Sequence, residues 1–184
     1  AREQGIDVSS EVCPHHLLFS QEDYKTLGGL VKMNPPVRSY EEMMGLRQAV
    51  FSGEVDYFAT DHAPHTAEEK EKDYINCPSG VPSIELFWPL LYHVSELNGH
   101  KNLVEMERMA TQLPAERFNF RKKGKIAVGY EANLVWLRKK SSRLTSQDLV
   151  AKCGWSPYVG LDLSTFVAST WLRGKRVFKR EIPS

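Results

Sequence analysis

Two rhythms of apolar and polar positions run along the chain, one near period two and one near period 3.6. Residues 6–12 alternate loosely and predict a strand ending in Cys13-Pro14-His15-His16, with a loop or short helix around residues 20–27. Leu30-Val31-Lys32-Met33 predicts a short extended piece. Asn34-Pro35-Pro36 must stay extended or turn, because each proline fixes its own backbone and restricts the residue before it. Ser39-Tyr40-Glu41-Glu42 has capping-box spacing, and Met43, Leu46, Val50 and Phe51 form an apolar stripe. A helix over 39–52 follows, closed by Gly53. Val55-Asp56-Tyr57-Phe58 predicts a second strand, and the order strand, helix, strand is a βα unit of a parallel sheet.

A polar loop is expected over 66–80, its charge run Glu68-Glu69-Lys70-Glu71-Lys72-Asp73 reading as a solvated face, with a lid as the alternative. Ser83 is placed to cap an apolar helix to about Leu97, kinked at Pro89. Asn102 with Glu105 marks another helix to about Gln112, and residues 114–118 give one more turn. The texture changes after Arg121. Residues 124–129 and 132–137 read as short strands, and 165–172 with 175–179 as a hairpin about Arg173-Gly174. The division expected is therefore α/β material over 1–121 and a small β domain over 122–184.

Bulk numbers narrow the picture. At 184 residues the chain is shorter than a complete (β/α)₈ barrel, which needs about 250. A net charge of +1, from 24 basic and 23 acidic residues, argues for no nucleic acid and no anionic surface as partner, leaving small molecules. Cys13, Cys77 and Cys153 are odd in number and form no C-x-x-C, so a reducing, cytoplasmic setting is expected. No apolar run approaches the roughly 20 residues of a membrane span, so no membrane association is expected. Without an initiator Met, and opening on a helix end before a strand, the chain reads as a fragment.

The chemistry concentrates in Ala59-Thr60-Asp61-His62-Ala63-Pro64-His65, which puts a carboxylate and two imidazoles straight after a strand. Barrel enzymes present catalytic groups at that end of their strands. Asp61 can bind a metal and accept a proton from activated water, or merely cap its turn. His65, beyond a stiffening proline, can donate to an anionic or carbonyl substrate, or be a surface histidine. His62, facing the other way, is a supporting or buried residue, and so are His15 and His16, since adjacent histidines rarely share one metal. The rigidly held amide of Asn34 can offer donor and acceptor to a ring amide, or serve a turn. The six histidines include no His-x-His pair, so the chain is expected to carry part of a site.

Taken together, Glu11-Val12-Cys13-Pro14-His15-His16-Leu17-Leu18, Lys32-Met33-Asn34-Pro35-Pro36-Val37-Arg38 and the segment from Ala59 to His65 resemble the dihydroorotases of the amidohydrolase superfamily, class I type. The tail, with Trp155-Ser156-Pro157-Tyr158 and Arg173-Gly174-Lys175, is similar to the same family. The resemblance implies the C-terminal part of a (β/α)₈ barrel metal-dependent hydrolase, with its last two strands and their helices, plus the C-terminal part of a flanking β-sandwich domain. It implies interconversion of carbamoyl-aspartate and dihydroorotate in pyrimidine synthesis, at a site with two zinc ions. Asp61 then matches the zinc-binding, proton-transferring aspartate, Asn34 and His65 the substrate-binding pair, and Ser79-Gly80 the backbone that holds substrate. The remaining metal ligands lie on earlier strands that the chain does not contain, so alone it is expected to be inactive. Expected partners are the missing N-terminal half or further copies of the chain, and other enzymes of the pathway. The rival readings are an allantoinase or hydantoinase, and a non-catalytic homologue kept as a scaffold.

Overall fold

The computed structural model describes residues 1–180. β1 (Glu11–Val12) runs into α1 (Pro14–Leu18), and α2 (Tyr24–Leu27) follows after a 3₁₀ turn. α3 (Tyr40–Phe51) then leads to β2 (Tyr57–Phe58). Glu11 pairs with Tyr57 and Val12 with Phe58 in parallel, the βα geometry expected of this segment. α3 begins where the capping box puts it: Ser39 Oγ accepts the Glu42 N–H and the Glu42 carboxylate accepts the Ser39 N–H. Gly53, at φ +80°, lets the chain leave the helix.

Five expectations for the α/β part need correction. The first strand covers two residues rather than seven, because the Ser10 N–H and Oγ turn to the Asp56 carboxylate (2.6 and 3.1 Å) instead of the ladder. Leu30 and Val31, the first half of the expected extended piece, belong to a 3₁₀ helix over 28–31, with Gly28 at φ +51° redirecting the chain, and only from Lys32 is the backbone extended. The 66–80 loop contains α4 (Ala67–Lys70), opened by a Thr66–Glu69 capping box, and Lys70 in its charge run is buried rather than solvated. Pro89 produces no kink: residues 84–86 are a 3₁₀ turn, and α5 (Phe87–Glu96) starts late enough to put Pro89 in its first turn, where an N–H has no intrahelical partner. Ser83 caps nothing, and its hydroxyl donates to the Thr60 carbonyl (2.6 Å).

α6 (Leu103–Ala110) and α7 (Gln112–Arg117) complete the helices, and α6 packs beside β2. β3 (Leu134–Arg143), β4 (Asp162–Leu172) and β5 (Lys175–Lys179) form an antiparallel sheet in the order β3-β4-β5. The hairpin turns at Arg173-Gly174 as expected, but residues 124–129 form no strand, and Ile126 stands 91% exposed. No helix among the described residues is long and apolar enough to cross a membrane.

One buried cluster, including Val12, Leu17, Phe58, Leu91, Val94, Met106 and Met109, lies between the two-stranded sheet and helices α1, α5 and α6. A second joins Phe19, Val31, Val81 and Leu90 to Leu144, Tyr158 and Leu163, and so ties the first part of the chain to the antiparallel sheet. Phe19 and Tyr158 stack within it, ring centres 5.2 Å apart. Replacing fully buried Leu90 by alanine is expected to cost about 2–5 kcal/mol, through lost transfer energy and a residual cavity. Ser39→Ala should cost only about 1 kcal/mol by removing a cap. Urea unfolding of both variants checks the ordering, and equal losses would contradict it.

Candidate active site

Parallel pairing brings the carboxyl ends of β1 and β2 side by side, and the Ala59 N–H extends the ladder to the Val12 carbonyl (3.0 Å). Two residues later the backbone turns sharply, with Asp61 in the left-handed region at φ +44°. Its side chain is 47% exposed at the strand mouth. His15, near the start of α1, lies beneath it with Nε2 3.9 Å from Asp61 Oδ2. The His15 side chain is wholly buried, and neither ring nitrogen has a hydrogen-bond partner among the described residues. Burial, reinforced by neighbouring His16, lowers its pKa to about 3, so the ring is neutral. Burial also pushes the Cys13 thiol up to about 12, with the Asp61 and Glu11 carboxylates adding to the shift.

The other candidate residues gather around this pair. His16 Nε2 donates to the Pro35 carbonyl (2.9 Å), tying α1 to the segment that holds Asn34. Asn34 is exposed, its bond to Pro35 is cis, and its amide makes no hydrogen bond among the described residues. His62 Nδ1 accepts the N–H groups of Ser83 and Ile84 (3.0 and 3.2 Å), which places its proton on Nε2 and anchors the strand end to the next helix. His65 Nε2 donates to the Ser79 carbonyl (3.0 Å), and Trp155 Nε1 donates to the His65 carbonyl (2.7 Å). The turn after the strand and the loop at 79–80 are therefore one unit. Gly80 is required there: at φ +134°, an added Cβ would sit 2.6 Å from Ala63 Cβ and 2.7 Å from the Ala63 carbonyl.

The ligating atoms of Cys13, His15 and His16 lie within 4.8 Å of one another. A tetrahedral metal needs its ligand atoms roughly 3.3–3.7 Å apart. His16 Nε2 is already engaged with the Pro35 carbonyl. The trio thus forms the floor beneath Asp61, whose oxygens open outward. A cavity of about 710 Å³ lies between residues 84–89 and the antiparallel sheet, and none of Asn34, Asp61, His65 or Ser79 lines it. Trp155 and Lys70 carry no local sequence signal for this site: Trp155 stands only in the family-like tail, and Lys70, whose Nζ donates to the Pro78 and Gly80 carbonyls, lies inside a charge run.

The Amidohydrolase family model matches residues 8–177. The dihydroorotase of Halobacterium salinarum is 36% identical over 182 residues, and that of Archaeoglobus fulgidus 38% over 173. These alignments cover 95% and 94% of this chain but only 43% and 41% of the relatives. Among solved structures, the L-hydantoinase of Arthrobacter aurescens superimposes with a TM-score of 0.90 at 26% identity, covering 100% of this chain and 42% of that one. The dihydroorotase of Saccharomyces cerevisiae, in complex with 5-fluoroorotic acid, gives 0.70 at 19% identity over 89% of this chain and 43% of that one, a likeness of fold alone.

His15 links this geometry to pH. The unfolded chain takes up the His15 proton near pH 6.5 and the folded chain only near 3, so across that window the unfolded state binds more protons. Stability should fall as pH drops below 6.5, with a slope approaching about 1.4 kcal/mol per pH unit. Urea midpoints between pH 7 and 5, where carboxylates still contribute little, should show this fall in the wild type and a flatter profile in His15→Gln. Parallel profiles would contradict a buried neutral ring.

Proposed function

Because this chain belongs to the amidohydrolase family, we propose that it is the C-terminal part of a dihydroorotase, which interconverts carbamoyl-aspartate and dihydroorotate. The observation that carries the proposal is the linked unit of Asp61, His65 and Ser79-Gly80 at the strand mouth, in a chain 36–38% identical to dihydroorotases along nearly its whole length. The chain spans about two-fifths of those relatives, so the rest of the site comes from the remainder of a longer protein.

In the direction of ring opening, water adds to the ring carbonyl, the ring C–N bond breaks, and the departing nitrogen takes a proton. Asp61 receives the proton given up by the water and delivers it to that nitrogen. Its carboxylate, on a sharply turned backbone, is half-exposed, with one oxygen 3.9 Å from the buried His15 ring. Asn34 supplies donor and acceptor to the ring amide, and the Ser79-Gly80 loop offers the substrate carboxylate its Ser79 N–H, the Gly80 N–H being given to Lys32, with the His65 ring beside it exchanging its Ser79 contact for the carboxylate. His16 and His62 fix the strand ends, and the buried His15 ring fills the space beneath Asp61. Of the two zinc ions proposed, Asp61 would ligate one, and the pair would supply Lewis-acid activation of the carbonyl and the water. With one open carboxylate, these residues alone hold no metal pair, and we expect activity only in the complete protein. Residues 1–121 would then be barrel and 122–184 part of the flanking β domain, in a cytoplasmic enzyme working with its own N-terminal half, further copies of itself or other pathway enzymes.

A hydantoinase is the second reading, favoured by the closer superposition on L-hydantoinase. A substrate panel on the full-length protein separates them. Dihydroorotate should be turned over, with hydantoin and allantoin far slower. Asp61→Asn should lower kcat by about 10²–10⁴-fold through loss of proton transfer. Preference for hydantoin or allantoin would select the second reading, and no turnover of any cyclic amide would indicate a scaffold.

A further inference from the structure

We propose that Lys70 is the positioning residue of the substrate-binding edge, clamping the Ser79-Gly80 loop to the segment that carries Asn34. The inference rests on the reading of Asn34 and Ser79-Gly80 as substrate contacts. Four of the six residues at 68–73 are exposed and Glu69 is half-buried in its capping box, but Lys70 is only 2% exposed. The Thr66–Glu69 capping box fixes the single turn of α4, and that turn directs Lys70 inward.

Lys70 Nζ donates to the carbonyls of Gly80 (2.9 Å), Pro78 (3.0 Å) and Lys32 (3.3 Å). An ammonium has three N–H donors and no acceptor, so the charged group is fully satisfied, whereas a neutral amine would leave one carbonyl unbonded. No carboxylate ion-pairs with it among the described residues, and the Trp155 ring lies 5.4 Å away. Removing an ammonium from water is costly unless such partners compensate, so apolar filling alone would not select a lysine here.

The three carbonyls share a purpose. The Lys32 carbonyl also accepts the Gly80 N–H (2.9 Å), so one oxygen ties the loop to the segment two residues before Asn34. Pro78 and Gly80 flank Ser79, the residue that accepts from His65. The Pro78 carbonyl belongs to the same peptide as the Ser79 N–H, and a cation on that oxygen makes the N–H a stronger donor toward a substrate carboxylate. Lys70 touches no substrate; it acts through the loop.

The test uses full-length protein carrying Lys70→Met, which keeps the stem and removes the ammonium. Deuterium exchange across residues 77–83 should quicken by about tenfold or more, while exchange in α3 and α5 stays as in the wild type. With dihydroorotate, KM should rise about tenfold or more and kcat change by less than about threefold, the pattern of lost binding rather than lost chemistry. Wild-type exchange at 77–83 overturns the proposal, as does a loss spread over the whole protein with KM unmoved. Should Lys70→Met fail to fold, Lys70→Gln, which keeps two donors, should show the same local effects in smaller degree, and wild-type behaviour of that variant overturns the proposal equally. If the wild-type protein ignores dihydroorotate, the dihydroorotase reading fails while the exchange experiment still decides the clamp.

Discussion

The parallel register of Glu11 with Tyr57 and Val12 with Phe58 is the constraint on which the strand mouth depends, because a parallel pair delivers both chains to the same end. An antiparallel pairing of the same residues would separate Cys13-Pro14-His15-His16 from Asp61 by the length of the strands. With the ends together, Pro14 can start α1 at once, and the wholly buried His15 ring comes beneath the Asp61 carboxylate. The short ladder is held by apolar packing. Val12, Leu17 and Phe58 share one core with α5 and α6, so the chemistry-bearing turn stands on a hydrophobic base.

From that base the polar network extends outward through groups that each have a definite partner. His62 fastens the strand end to residues 83–84, His65 fastens the turn to Ser79, Trp155 holds the His65 backbone, and Lys70 binds the Pro78 and Gly80 carbonyls of the loop together with that of Lys32. His15 and Asp61 differ from these. The His15 ring has no hydrogen-bond partner among the described residues, and Asp61 opens to solvent. Support is thus internal to this chain, while Asp61 stands at the exposed edge, as suits one side of the proposed site.

How much of this was legible follows from where each signal resides. The helix at 40–51 carries its own cap and stripe, and the hairpin at 162–179 its own turn, so local sequence sufficed for both. Asp61 and His65 stand in a motif whose preceding residues announce a strand end, whereas Ser79-Gly80 was legible only through the family resemblance. Residues 6–10 and 124–129 alternate well enough to suggest strands, yet pairing there depends on partners that periodicity cannot supply. Ser10 spends its N–H on Asp56, and Ile126 faces solvent. Lys70 was least legible, since its burial depends on carbonyls contributed by Lys32, Pro78 and Gly80, and a charge run conceals that from any local reading.

The central claim is that Asn34, Asp61, His65 and Ser79-Gly80 form one face of a cyclic-amide site. The measurement that tests it most directly is a crystal structure of the full-length protein with dihydroorotate bound. The account predicts the Asn34 amide, the His65 ring and the Ser79-Gly80 backbone within about 3.2 Å of substrate polar atoms, with the Asp61 carboxylate beside the ring nitrogen. Dihydroorotate seated elsewhere, or held at this mouth without those four contacts, would contradict it.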